Sequence, residues 1–163
     1  MRRQAWWAFM AGGFFTYGHK KMWLVEEGWL DALESLGAGQ MIHFKNIANL
    51  RPWWTMVPDQ GVFLDGAGTG RTLNTALRAA DETCLMIYLS SQCHALVNLS
   101  KIRTHRARAT LFNPVTGEQK EAGVYETGNE VGDESPAASM GQWFSTPYYW
   151  EDAVLIVDAM PEK

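Results

Sequence analysis

The 163 residues give room for one domain or two small ones, and 47% apolar with 20% charged residues are values of a globular rather than a disordered chain. A net charge of −4 exerts no general pull on nucleic acid. Two cysteines make neither a disulfide framework nor a metal cluster, and eight tryptophans suit a large core, a buried interface or a sugar-stacking surface.

The chain opens with Met1-Arg2-Arg3 and an apolar run from Ala5 to Phe15. This imitates a secretory signal, but the run is well short of the ~20 residues that span a membrane, and no small-x-small cleavage site closes it. A buried helix over residues 2–11, stopped by Gly12-Gly13, is the preferred expectation. Phe14 to Tyr17 reads as a short buried strand, and Gly18 to Trp23 as a polar and aromatic loop at its end. A second helix is expected over residues 29–36, broken by Gly37-Ala38-Gly39. A third is expected over residues 41–50, with Met41, Phe44, Ile47 and Ala48 on one face and Pro52 at its end.

Arg51 to Gln60 is a junction. Two prolines bracket Trp53-Trp54, so no helix runs through, and the paired rings can tie one unit to the next or cap a single core. Beyond it the texture changes to short strands, expected at 61–64, 71–79, 83–89, 95–99, 106–112, 118–126, 141–146 and 153–157. Asn113-Pro114-Val115-Thr116-Gly117 is a turn, with Pro presetting φ and Gly taking the left-handed position. Such strands predict an antiparallel sandwich. If 83–89 and 95–99 form a hairpin, Cys84 lies roughly six residues from the turn. At ~3.3 Å per residue it is on the order of 20 Å from Cys93, so both thiols are expected free and mostly buried.

Several motifs resemble apiosidase-like glycoside hydrolases. Arg2-Arg3-Gln4-Ala5-Trp6-Trp7, Ala11-Gly12-Gly13-Phe14-Phe15-Thr16-Tyr17-Gly18-His19 and Met22-Trp23 are similar to the end of that family's (β/α)8 barrel. Gly37-Ala38-Gly39-Gln40-Met41, Arg51-Pro52-Trp53-Trp54 and Val57-Pro58-Asp59 are similar to its last helix and exit. Phe112-Asn113-Pro114, Thr116-Gly117-Glu118 and Trp150-Glu151-Asp152-Ala153-Val154-Leu155 resemble the small β domain that follows, which carries a collagen-binding label. Leu36 stands where that pattern has Pro, and Val115 where it has Arg.

The resemblance implies an α+β chain: a C-terminal remnant of a TIM-barrel glycosidase over residues 1–60, packed on an antiparallel β-sandwich over 61–163. A whole barrel takes roughly 250 residues, so the catalytic carboxylates would lie on strands outside this chain. The expectation is therefore a non-catalytic C-terminal fragment, without cofactor, of a secreted or periplasmic enzyme acting on plant-type polysaccharide. Tyr17, His19 and Trp23 would line the parent's sugar site: Trp23 for stacking, His19 for a hydroxyl. The alternative is structural, with His19 fixing the loop and Trp23 packing.

Other groups read as structural. Glu26 and Glu27 are adjacent and point apart, so they make a poor hydrolytic pair and a solvated loop is expected. Asp31 and Glu34 lie on a helix's wet face. Gly66 to Gly70 lacks the Gly-Lys-Ser/Thr ending of a phosphate loop and reads as a flexible turn. Lys101, Arg103 and His105 alternate on an expected strand, with Arg106 and Arg108 on the other parity. Protection of a strand edge is preferred there to anion binding. Glu126, Glu130, Asp133 and Glu134 lack the spacing of a twelve-residue calcium loop, and no metal site is expected. Trp143, Tyr148, Tyr149 and Trp150 either pack on the barrel remnant, the preferred reading, or form the platform of an independent carbohydrate- or collagen-binding module. A third reading, a self-associating protein, needs a homo-oligomer interface through Trp6, Phe9 and Met10.

Overall fold

The computed structural model describes residues 1–129 and 140–161. The helices are α1 (Arg2–Met10), α2 (Lys20–Leu24) and α3 (Leu36–Ala48). The strands are β1 (Met56–Pro58), β2 (Phe63–Asp65), β3 (Thr75–Ala79), β4 (Cys84–Leu89), β5 (His94–Asn98), β6 (Arg106–Phe112), β7 (Gln119–Glu126), β8 (Gly141–Ser145) and β9 (Ala153–Ala159). They form a six-stranded sheet, β1-β3-β4-β9-β6-β7, and a three-stranded sheet, β2-β5-β8. Every pairing is antiparallel.

Side-chain alternation makes this a three-layer molecule. Successive strand residues face opposite sides of a sheet. Leu85, Ile87 and Leu89 of β4 join Leu155 and Val157 of β9 in the core shared with the small sheet, together with Val97, Phe144 and Trp150. Met86 and Tyr88 face the other way with Val154 and Ile156, where Trp6 and Met10 of α1 and Ile47 of α3 cover them. A strand buried on both faces reads as a continuous apolar run, as Cys84–Leu89 does.

Most β expectations hold to within a few residues, and β6 holds at both ends. The turn after β6 also forms as read: Gly117 has φ 75° and its N–H donates to the Asn113 carbonyl at 2.8 Å. Cys84 and Cys93 are unbonded, the first buried and the second half-buried.

Other expectations are corrected. Residues 14–17 form no strand, and Phe14 is 94% exposed. A strand needs flanking strands to satisfy its backbone, and none of the described residues supplies them. Residues 29–35 hold only a 3-10 turn (Asp31–Glu34), Leu36 already opens α3, and Leu30, Leu33 and Leu36 are exposed. Without a surface to pack on, an isolated turn does not propagate. Gly37-Ala38-Gly39 lies inside α3 instead of breaking it. A Cβ on Gly37 would come within 3.0 Å of the Tyr17 ring, so this glycine serves close approach. Residues 20–23, read as loop, belong to the helix Lys20–Leu24.

Strands β4 and β5 are not a hairpin; they lie in different sheets. Asn74, buried between them, fixes the crossover: its Oδ1 accepts from the Ser90 N–H at 2.8 Å, and its Nδ2 donates to the Gly66 carbonyl at 2.8 Å. The Gly66 loop packs on β5, where a Cβ at Gly66 would sit 2.4 Å from the His94 carbonyl oxygen. Residues 101–105 are turns rather than strand, and β6 lies between β9 and β7, so the basic stretch guards no edge. The edge of the large sheet on that side is β7, which carries Lys120, Glu121 and Glu126.

Trp6 and Met10 are buried against the six-stranded sheet and Phe9 packs beside them, which removes them as an oligomer interface. Trp143, Tyr148 and Tyr149 are exposed, and Trp150 fills the sandwich core, so none of the four packs on the helical layer. No helix of the described residues is long and apolar enough to cross a membrane. Glu130, Asp133 and Glu134 of the weighed calcium set lie outside the described residues.

Polar ties join the layers. Arg2 on α1 donates from Nε to Asp152 Oδ2 at 2.9 Å and from Nη2 to Glu151 at 2.8 Å, while the Tyr88 hydroxyl donates to the same Asp152 oxygen at 2.6 Å. Arg51, after α3, makes a two-point pair with Asp158 of β9. Asp59 accepts from Arg78 at 2.9 Å and Lys101 at 3.3 Å. Burial opposes ionisation of Asp59, but these two cations outweigh it and hold the carboxyl below its ordinary value. A depressed carboxyl adds stability above the unfolded pKa of ~3.9 that is lost as pH falls through the folded pKa. Asp59→Asn is therefore expected to lower the urea midpoint at pH 7, with the gap to wild type shrinking below about pH 4. A gap that stays constant to pH 2 would refute the linkage.

Candidate functional site

The stretch from Tyr17 to Trp23 carries the sugar-site residues expected from the sequence. His19 sits at the N-cap of α2, where its Nδ1 accepts from the Lys21 N–H at 3.3 Å. The Trp23 N–H closes the first turn on the His19 carbonyl at 3.0 Å. His19 and Trp23 are thus four apart across one helical turn and share a face. Val25 in the left-handed conformation (φ 52°) ends the helix. Trp23 is 85% exposed, a large flat apolar ring in solvent.

Tyr17 is directed elsewhere. Its hydroxyl is 2.8 Å from Ser35 Oγ, and its ring lies against Gly37, so it clamps the start of α3. Glu26 is half-buried and Glu27 exposed in the turn that follows α2. No group of three or more His, Cys, Asp or Glu among the described residues is placed to hold a metal ion.

Exposed apolar side chains gather in this part of the chain. Phe14, Trp23, Leu24, Val25, Leu36 and Trp54 are each more than half exposed, while the opposite face of the helical layer is closed on the sheet. Trp53 bridges toward α1, its ring centroid 5.9 Å from that of Phe9, and Trp54 turns outward. The junction aromatics thus serve both as a tie and as surface.

Two features had no sequence signal. The Arg2–Asp152–Tyr88 cluster joins residues 64 to 150 positions apart. A cleft of about 220 Å3 opens where α3 meets the β6–β7 turn, lined by His43, Asn46, Phe112 and Gln119 among others. Both arise from docking of layers, which local periodicity does not encode.

Family comparison bears on both layers. A family model described as "Putative collagen-binding domain of a collagenase" matches residues 57–158, which hold all nine strands except the first residue of β1 and the last of β9. The chain belongs to that family. The model of the apiosidase-like catalytic domain matches residues 1–55, the helical layer of this collagen-binding-family chain.

Solved structures match across both parts. A glycoside hydrolase family 5 protein from Bacteroides vulgatus ATCC 8482 is similar at 26% identity and a TM-score of 0.81, covering 97% of this chain and 35% of its own. A second, described as a glycoside hydrolase, is similar at 26% identity and a TM-score of 0.82, covering 99% and 37%. The chain thus spans little more than a third of the length of these two structures. No curated protein matches it.

Proposed function

We propose that this chain is the C-terminal part of a glycoside hydrolase acting on plant-type polysaccharide, not catalytic by itself. Residues 1–60 are the remnant of its (β/α)8 barrel, and residues 61–163 its β-sandwich. The observation that carries the reading is the similarity of both layers together, over 97% of the chain, to a glycoside hydrolase. The exposed apolar side chains of residues 14–54 support it, since a barrel end shows such a surface where further barrel strands and helices belong.

Within the whole enzyme, Trp23 offers its ring for stacking on a sugar face, and His19, on the same side of α2, offers its free ring nitrogen to a hydroxyl. Tyr17 supports the site from behind: its hydroxyl is held by Ser35 and clamps the start of α3. The test is reducing-sugar release from plant cell-wall polysaccharides. This chain alone is expected to release none, whereas the enzyme carrying the complete barrel releases sugar. Trp23→Ala there is expected to reduce kcat/KM by about 10–100-fold, the loss of one stacking contact of roughly 1–3 kcal/mol. Hydrolysis by this chain alone would overturn the proposal.

A second reading, a binding module on the β-sandwich, is favoured by one specific observation. Trp143 is 51%, Tyr148 90% and Tyr149 64% exposed, on β8 and the loop that follows it. That is a platform for a carbohydrate chain or for collagen. Saturable binding of this chain to insoluble polysaccharide or collagen, abolished by Trp143→Ala, supports this reading; its absence removes it.

A further inference from the structure

The cleft between α3 and the β6–β7 turn is distinct from both the Trp23 surface and the Trp143 platform. Its volume of about 220 Å3 is below the roughly 300–1,000 Å3 of pockets for drug-sized molecules, so it has room for one small ring rather than a chain. His43, Asn46, Ile47 and Leu50 recur at helical spacing and form one wall. Phe112 and Ile47, both buried, contribute apolar floor.

The rim is polar, and among the described residues no Asp, Glu, Lys or Arg lines the cleft. Among the described residues, the side chains of Asn46 and Gln119 make no hydrogen bond within the protein, which leaves two amides with both donor and acceptor atoms free. Thr116 Oγ1 accepts from the Glu118 N–H at 3.2 Å, so its hydroxyl proton remains to be donated. The rim is also fixed. Asn113 Oδ1 accepts from the Val115 N–H at 2.8 Å, and a Cβ on Gly117 would fall 2.6 Å from His43 Nδ1, so the imidazole lies directly on the glycine backbone.

We infer that this cleft binds a single neutral sugar ring. Amides that both donate and accept match hydroxyls that do the same, and an apolar floor matches a pyranose C–H face. With no Asp, Glu, Lys or Arg among the described lining residues, no carboxylate, ammonium or guanidinium is there to offset desolvation of an ionic ligand. The inference stands on this cleft's own chemistry and does not depend on the hydrolase reading.

The experiment is a proton NMR titration of the full chain with D-xylose and with D-galactose, with D-glucuronate as the charged control. The His43 and Phe112 ring resonances are expected to shift saturably with a millimolar Kd for at least one neutral sugar, and at least tenfold more weakly for glucuronate. The Asn46→Ala/Gln119→Ala variant alters two exposed side chains and should keep the spectrum of the folded chain while weakening binding about tenfold, two modest hydrogen bonds. Trp143→Ala should leave the titration unchanged. The inference is overturned if neither sugar shifts these resonances, if glucuronate binds equally well, if the double variant binds as wild type, or if Trp143→Ala removes the shifts. None of these outcomes bears on hydrolysis by the enzyme with its whole barrel.

Discussion

Replacing Trp6 by alanine is expected to cost about 3–5 kcal/mol, the largest single loss available in the helical layer. The side chain is fully buried. Its ring stacks on Tyr88 of β4 at 5.7 Å between centroids and meets Phe44 of α3 edge-on at 4.7 Å. It therefore ties α1 to both α3 and the six-stranded sheet, and the cavity left by truncation opens at their common point. Its indole N–H has no partner among the described residues, so a phenylalanine there loses volume but also removes an orphan donor. Trp6→Phe should cost less than half as much. Urea unfolding followed by far-UV circular dichroism and tryptophan fluorescence measures both. Equal losses for the two variants would mean that cavity volume is not what counts.

The second large effect lies at Arg2. Its guanidinium reaches Asp152, which is 2% exposed and stands just before β9. Burial alone would weaken the charge on Arg2, yet the Asp152 carboxylate outweighs this and raises its pKa. Among the described residues, Arg2→Ala leaves Asp152 buried with only the Tyr88 hydroxyl as partner, and one carboxylate oxygen is unpartnered already. The expected loss is about 3–5 kcal/mol, the cost of stranding a buried charge. Removing both charges should hurt less than removing one: Arg2→Met with Asp152→Leu is expected to recover most of the loss. A double-mutant cycle on urea midpoints checks this, and additive losses would show that the pair is not coupled.

The sheet strands were legible in the sequence because each is a short apolar run or alternation between turn residues. Residues 83–89 and 153–157 read as strands for that reason and form Cys84–Leu89 and Ala153–Ala159, and Asn113 to Gly117 read as their turn chemistry dictates. The partition of strands between sheets was not legible. Leu89 and His94 are close in sequence, but the buried Asn74 turns the chain from one sheet to the other. Gly37 and Gly39 read as breakers because propensity knows nothing of the Tyr17 ring that needs Gly37. Residues 14–17 carry the apolar run of a buried strand, yet Phe14 stands in solvent. That mismatch between pattern and environment is what the proposed barrel remnant leads one to expect.

The candidate site was legible in part. The motif around His19 and Trp23 nominated them, and α2 sets the two on one face. Tyr17 belongs with them in sequence but spends its hydroxyl on Ser35. The cleft at His43, Asn46 and Gln119 could not be read, since its two walls are joined only by the packing of α3 on the sheet.

The most direct test of the central claim is to read about a kilobase of source DNA upstream of the Met1 codon, enough for a barrel of roughly 250 residues. The account predicts an in-frame (β/α)8 segment with two carboxylates on earlier strands, placed for acid/base and nucleophile roles. An in-frame stop codon followed by a ribosome-binding site immediately before Met1 would contradict it, and would leave binding by the β-sandwich as the function to pursue.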